Sequence, residues 1–117
     1  MKKIIYFVFV LTFSLSQFCF AKTKEFKMVA VEVSGTKIWF PSVLVVQKGD
    51  KVKIHAESKV PEPSVIHGLA IKEFKVVEAV DNKGKDIEFV ASKAGVFSLY
   101  CHLHEKHIGA QLVVLEK

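Results

Sequence analysis

One short segment of the chain brings together a thiol and three imidazoles. Cys101, His102, His104 and His107 lie within seven residues of one another. Cysteine sulfur and histidine nitrogen are ligands that favour copper or zinc over calcium or magnesium. The segment therefore predicts a transition-metal site in which Cys101 supplies the sulfur.

The N-terminus has the pattern of a cleaved secretory leader. Two lysines precede the apolar run 4–15, and Cys19 and Ala21 provide small residues at the −3 and −1 positions. The run is shorter than the roughly 20 residues that a membrane-spanning helix needs. We therefore predict a signal peptide over residues 1–21, a mature domain over 22–117, and export to the periplasm without stable membrane insertion afterwards.

Charge and cysteine content narrow the class of protein. Removing the leader lowers the formal net charge from +5 to +3, and all 17 basic residues of the chain are lysines. Nucleic-acid-binding surfaces favour basic stripes with arginine, so we do not expect nucleic acid as a partner. Removal of the leader also leaves Cys101 without an intramolecular disulfide partner, which favours a metal as its occupant. The length fits a single domain, and we expect a monomer.

Alternating apolar and polar residues predict short strands throughout the mature chain. In the segment 51–57, Val52, Ile54 and Ala56 are predicted to face inward. In the segment 26–34, we expect the three valines at odd-numbered positions to be the buried ones. No stretch has helical periodicity, and turn signals recur roughly every 8–12 residues, which predicts an all-β sandwich of seven to eight strands. The predicted strands are 26–34, 43–46, 51–57, 65–71, 87–91, 96–101 and 110–116, and the segment 74–80 is either a further strand or an irregular crossing.

The pleat of a strand separates the histidines near Cys101. Phe97 and Cys101 share the inner face because side chains alternate with a period of two, so His102 points the other way, towards solvent. His104 and His107 follow Cys101 by three and six residues. Since three extended residues span up to ~10 Å, the segment must turn to bring these imidazoles back over the thiol.

A more distant histidine, His67, lies in an apolar segment just before Gly68. A buried imidazole needs partners for both of its nitrogens. A metal on one nitrogen and a backbone carbonyl on the other would provide them. With Cys101 and His104 available, we predict that His67 is a ligand. His55 lies on the lysine-bearing face of its strand and is predicted to be a surface residue.

Five motifs are distributed along the mature chain: Phe40-Pro41-Ser42-Val43, Lys48-Gly49-Asp50, His67-Gly68, Ala94-Gly95-Val96-Phe97 and Tyr100-Cys101-x-x-His104. Together they resemble the cupredoxin family, whose members are small Greek-key β-sandwiches that bind copper. The resemblance covers most of the mature chain. It implies that His67, Cys101 and His104 are the three strong ligands of one copper ion.

The segment after His104 departs from the family's pattern. Blue-copper members place a methionine there, whereas here His107 occupies that part of the loop, and Met28 is the only methionine outside the leader. The related binuclear copper domains need a second cysteine where this chain has Phe97, which excludes a binuclear centre. A histidine ligand would favour Cu(II) and lower the reduction potential relative to a thioether. His107 is thus our candidate fourth ligand, the alternative being an exposed imidazole.

The red copper site of nitrosocyanin is a precedent by resemblance, because it has an extra histidine. It also uses a glutamate, for which Glu62 is the candidate counterpart. Copper held in a rigid sandwich of the cupredoxin type changes oxidation state with little rearrangement, so we expect one-electron transfer with His104 as the exit point. We also expect Leu103, Ile108 and Pro41 to form an apolar patch around it that docks a redox partner.

Two other classes of function remain open at this point. The alternative is a copper-delivery or metal-uptake accessory protein, whose partner would be a copper-handling protein. The sequence offers no acid–base pair and no nucleophile with an orienting partner, so we do not expect an enzyme. Zinc in such a site would serve structure, which a sandwich of this size should not need.

Overall fold

The computed structural model describes residues 22–116, so the predicted signal peptide over 1–21 lies outside the described residues. Within that range the chain forms nine strands and one short 3₁₀ turn, Lys72–Phe74. The strands are β1 (Thr23–Val33), β2 (Thr36–Phe40), β3 (Val43–Gln47), β4 (Lys51–Ser58), β5 (His67–Ile71), β6 (Val76–Val80), β7 (Lys85–Val90), β8 (Gly95–Leu99) and β9 (Ala110–Leu115). Over residues 22–116, no helix has the length and apolar character needed to cross a membrane.

The strands pack as two layers. The first is a sheet in the order β2-β1-β4-β7, and the second contains the sheet β3-β9-β8. The pair β5-β6 extends the second layer, because the backbones of Ala70 and Tyr100 exchange hydrogen bonds of 2.8 and 3.0 Å beside the end of β8. β1 runs parallel to β4 and β3 parallel to β9, whereas the other pairs are antiparallel.

The predicted all-β sandwich is confirmed, but the predicted strand count is too low, because the structure adds β2. Val33 and Thr36 pair across a two-residue turn in which Ser34 and Gly35 both have positive φ, +49° and +80°. Such turns match the twist of a hairpin and favour glycine at the second position. The sequence-based prediction ended the first strand at this glycine and assigned no strand to 36–40.

The core lies between the layers, and β4 contributes to it as predicted: Val52, Ile54 and Ala56 are buried. The prediction for β1 was wrong. Met28 and Ala30 are fully buried, whereas the odd-numbered valines face outward. Both faces of β1 are apolar, so alternation alone cannot choose between them. The register of β1 against β4 determines which face of β1 is buried. Cross-strand neighbours share a face, and the even-numbered residues of β1 pair with the inward residues of β4.

Candidate metal centre

The four predicted ligands lie at the end of the sandwich where β5 begins and β8 ends, and three of them form one close group. His67 is the first residue of β5, while Cys101, His104 and His107 lie in the segment 100–109 between β8 and β9, called the ligand loop below. One donor atom each from His67, Cys101 and His107 lies within 4.8 Å of the other two. Sγ of Cys101 is 3.5 Å from Nδ1 of His104, and the rings of His104 and His67 have centroids 5.1 Å apart.

Backbone contacts hold the ligand loop in this position. The N–H of His107 donates to the carbonyl of His104 at 3.3 Å, which makes the turn that the spacing requires. The loop is then tied to β2, because Ile108 donates its N–H to the carbonyl of Lys37 at 2.9 Å and its carbonyl accepts the N–H of Trp39 at 3.0 Å. The loop therefore lies against an edge of the first layer while its ends belong to the second.

Each of the two buried imidazoles uses one nitrogen on a backbone carbonyl. Nε2 of His67 donates to the carbonyl of Ser64 at 2.6 Å, and Nδ1 of His107 donates to the carbonyl of Ile108 at 3.1 Å. The other two nitrogens, Nδ1 of His67 and Nε2 of His107, are buried and have no hydrogen-bond partner among the described residues. Unpartnered buried polar atoms are rare and costly, so this pair needs an explanation.

Burial keeps both imidazoles neutral at pH 7. It lowers the pKa of His67 below its usual value and lowers the pKa of His107 to about 4. Burial outweighs the opposite effect of the backbone hydrogen bonds on both pKa values, and the nearby side chains of His104 and Lys37 lower them further. A neutral imidazole with one N–H engaged has its remaining lone pair free, which is the form in which histidine binds a metal.

The thiol of Cys101 is buried beside these lone pairs. It forms no disulfide within residues 22–116, and Sγ accepts the N–H of Gly68 at 3.1 Å. Two donor atoms that share a metal at about 2.0 and 2.3 Å in tetrahedral geometry lie about 3.5 Å apart, which is the separation between Sγ and Nδ1 of His104. The donor set and its spacing thus fit a thiolate- and imidazole-binding transition metal. The assignment of the four residues as ligands stays a prediction.

Two histidines that were predicted not to be ligands lie outside the group of His67, Cys101 and His107, and so does Glu62, the candidate counterpart of a glutamate ligand. His102 is exposed, and His55 pairs with Asp86 through its Nδ1. Met28 is fully buried in the core, and Glu62 is exposed in the segment before β5.

Sequence reasoning missed the contribution of Trp39. This residue is buried, its ring centroid lies 5.8 Å from that of His107, and its indole N–H donates to the carbonyl of Gly68 at 2.8 Å. Two features of the sequence could have indicated this role: Trp39 is the only tryptophan of the chain, and it follows the Ser34-Gly35 turn by four residues. A strand after that turn would have brought it to the site.

Comparison with known proteins identifies the fold of this chain but not its activity. No family model matches the chain, and no curated protein matches it. The copper nitrite reductase from Nitrosomonas europaea matches with a TM-score of 0.68 and 19% identity, over 82% of this chain and 42% of that one. The described chain thus spans less than half the length of that reductase.

Two shorter solved structures match over most of both chains. The metal binding domain of the Cu(I)-exporting P-type ATPase CopA from Streptococcus pneumoniae, solved with Cu(I), gives a TM-score of 0.64 at 19% identity, over 80% of this chain and 87% of that one. A copper binding protein in the apo form gives 0.61 at 20% identity, over 80% and 88%. The likeness to these copper proteins confirms the resemblance drawn from the motifs: the chain has a cupredoxin-like fold.

Proposed function

We propose that this protein binds one copper ion through His67, Cys101, His104 and His107 and transfers single electrons. The observation that carries the proposal is the pair of buried ring nitrogens that lie near a buried thiol and have no hydrogen-bond partner within residues 22–116. A metal ion would satisfy all of these donors at once, and they would otherwise be a net cost to folding.

The donor chemistry and the fold support copper over other metals. Thiolate and imidazole suit copper and zinc and disfavour magnesium and calcium. The structural neighbours include copper proteins of several kinds. Zinc in a closed site would serve mainly to stabilise the fold. This sandwich already has one continuous core between its two layers, so a structural zinc ion is less expected than copper. When bound, copper would supply a one-electron couple between its +1 and +2 states.

The surroundings of the site support electron transfer in particular. His104 is exposed, whereas His67, Cys101 and His107 are buried, so one ligand would connect a shielded ion to the surface. Leu103 and Ile108 flank it with exposed fractions of 47% and 55%. These apolar side chains support the docking of a redox partner protein at this end of the molecule, and Pro41, the third residue of the predicted patch, is half-buried. We propose that the protein is a monomer and that it exchanges electrons with its redox partner in the periplasm.

A defined set of variants tests the copper site. The mature protein, loaded with Cu(II), should show an intense sulfur-to-copper absorption band, one copper per chain and reversible one-electron reduction. Cys101→Ser should abolish the band, and His107→Ala should shift both the band and the electron-paramagnetic spectrum. His55→Ala, which removes an imidazole on β4 outside the ligand loop, is the matched control and should leave both spectra unchanged.

Two results would contradict the proposal. One is copper-loaded protein that lacks the band or cannot be reduced by biological carriers. The other is a spectrum that Cys101→Ser leaves unchanged. Unchanged spectra in His107→Ala alone would remove His107 from the ligand set and leave a Cys-His-His site.

Copper delivery is the second candidate function, and the access from solvent to the donor side chains favours it. A cavity of about 580 Å³ reaches the side chains of Cys101, His104 and His107 from solvent, so an incoming ligand could approach the donors directly. Transfer of Cu(I) to a competing chelator within minutes, faster than from a variant that narrows this cavity such as Leu103→Trp, would support delivery. Retention for hours would favour a permanently held redox centre.

The expectation that the protein is not an enzyme stays a prediction. Its structural neighbours include a copper nitrite reductase, so nitrite is the natural test substrate. Steady turnover of nitrite by the copper-loaded protein, lost in Cys101→Ser, would contradict the expectation.

A further inference from the structure

Gly68 is the point at which the structure joins the thiol to the rest of the fold. Its N–H donates to Sγ of Cys101 at 3.1 Å, and its carbonyl accepts the indole N–H of Trp39 at 2.8 Å. Both hydrogen bonds are buried. The two polar groups of one residue thus link the thiol on one side to the indole on the other.

His102 occupies the space that a side chain at position 68 would need. A Cβ at position 68 would overlap Nδ1 of His102 and lie only 2.7 Å from its Cε1 and 2.9 Å from its backbone N. The imidazole of His102 is exposed and could turn away, but its backbone nitrogen could not. A side chain at position 68 would therefore push the start of β5 away from the Cys101–His102 backbone and lengthen the N–H···S hydrogen bond.

Trp39 reaches the site from β2, a strand of the other layer. Its side chain is 1% exposed, so its N–H needs a buried acceptor, and the carbonyl of Gly68 is that acceptor. The same ring lies beside His107, with centroids 5.8 Å apart. One side chain outside the donor set thus contacts both β5 and the ligand loop.

We propose that Trp39, Gly68 and His102 form a clamp that fixes the N–H···S hydrogen bond to Cys101 and so tunes the metal–sulfur bond without supplying a ligand. The inference rests on the proposed copper function. Trp39 and His102 act in it as positioning residues. His102, which pleat geometry excludes from the donor set, acquires a role as the wall against which Gly68 is held.

The physical effect follows from charge on sulfur. An N–H aimed at a metal-bound thiolate draws electron density from the sulfur, and hydrogen bonding around the cysteine sulfur tunes the potential of a copper site. Loosening the clamp makes sulfur a stronger donor, which favours Cu(II) over Cu(I). Loss of such supporting partners at metal sites costs about 10- to 100-fold in affinity. We expect the lower end, roughly tenfold in the ratio of Cu(I) to Cu(II) affinities, which is about 59 mV for a one-electron couple.

Three variants test the clamp against one control. Trp39→Phe keeps a ring but removes the N–H, Gly68→Ala pushes β5 away, and His102→Ala removes the imidazole wall. Ile54→Val trims a buried core side chain in β4 and controls for general loss of stability. The copper-loaded readouts are the energy of the sulfur-to-copper band and the reduction potential.

A second readout needs no metal. In the metal-free protein, Trp39→Phe should speed hydrogen exchange at the Gly68 amide by tenfold or more relative to the amides of Leu69 and Ala70. Ile54→Val should change all three amides together. This measurement follows the hydrogen bond itself and is independent of copper binding.

The outcomes separate the clamp from the function on which it rests. A shifted band and a lowered potential in Trp39→Phe and Gly68→Ala, with a smaller shift in His102→Ala and none in Ile54→Val, support the clamp. Wild-type spectra and wild-type exchange in Trp39→Phe would overturn it. If the wild-type protein binds no copper, the proposed function fails, and selective exchange at Gly68 still decides whether the hydrogen-bonded clamp exists.

Discussion

At the residue scale, the site depends on two histidines that are held in opposite tautomers. Nε2–H of His67 donates to the carbonyl of Ser64, which leaves Nδ1 without its proton. Nδ1–H of His107 donates to the carbonyl of Ile108, which leaves Nε2 without its proton. Backbone carbonyls thus choose which nitrogen faces the thiol. Rotamer, tautomer and charge are set before any metal arrives, which reduces the cost of ordering the donors on binding.

The low pKa of His107 predicts that acid destabilises the metal-free protein. The unfolded chain takes up this proton near pH 6.5 and the folded protein only near pH 4. Between these values the unfolded state binds more protons, so the free energy of unfolding falls as the pH is lowered through this window. We expect a loss of about 2 kcal/mol from pH 7 to pH 4, measured by urea unfolding.

His107→Gln is the control for that prediction, because its side chain does not titrate. The pH dependence should shrink but persist, since burial also lowers the pKa of His67. An unchanged slope in His107→Gln would show that other groups cause the acid sensitivity.

Trp39 also provides a reporter of metal binding. It is the only tryptophan of the chain, and its ring lies 5.8 Å from that of His107. Cu(II) bound beside His107 should quench its fluorescence strongly, and a titration should end at one ion per chain. Cys101→Ser should weaken the quenching at low copper concentrations. An end point at two ions would contradict the single site that Phe97, in place of a second cysteine, predicts.

At the element scale, the hairpin of β1 and β2 positions Trp39 beside the site. Its second strand also forms the backbone hydrogen bonds that hold the ligand loop. Its turn needs two consecutive residues with positive φ, Ser34 and Gly35. Among residues 22–116, nothing lies within 4 Å of where a Cβ at Gly35 would be, so an alanine or asparagine there is expected to act through the backbone. We expect Gly35→Ala to cost about 1 kcal/mol and Gly35→Asn less, because asparagine tolerates this conformation better.

A substitution of the neighbouring residue, Ser34, is expected to raise the free energy of unfolding instead of lowering it. Ser34→Asn creates the Asn-Gly pair that this type of turn prefers and should stabilise the protein by about 0.5 kcal/mol. Urea unfolding of the three variants at pH 7 tests both signs. Equal effects of alanine and asparagine at position 35 would show that the turn does not keep its positive φ in solution.

The strands also show where sequence patterns suffice and where they do not. β4 alternates apolar and charged residues, so its inward face was predictable. β1 is apolar on both faces, and only its parallel register with β4 selects Met28 and Ala30 over the valines. That register joins segments far apart in sequence, and a pattern confined to one strand contains no information about it.

At the scale of the whole molecule, the same limit applies to the site. Cys101, His104 and His107 are neighbours in sequence, and the required turn explains how they converge. His67 was predicted to join them from chemistry and from family resemblance, and the structure places it there. Trp39 and the ties from β2 were not predicted, because they depend on contact between the two layers rather than on local spacing.

Because the donors come from β5 and from the ligand loop, a bound ion would connect segments that are separate in the unfolded chain. Ligands that bind only the folded state stabilise it by about 2.7 kcal/mol at a free concentration 100 times Kd. For a domain of this size each kcal/mol raises Tm by roughly 4–8 °C, so saturating Cu(I) should raise Tm by roughly 10–20 °C. Calorimetry of wild type and Cys101→Ser, with and without Cu(I), measures this. His102→Ala should retain most of the increase, because its side chain is not a donor, whereas an equal increase in Cys101→Ser would mean that copper stabilises the protein from a site elsewhere.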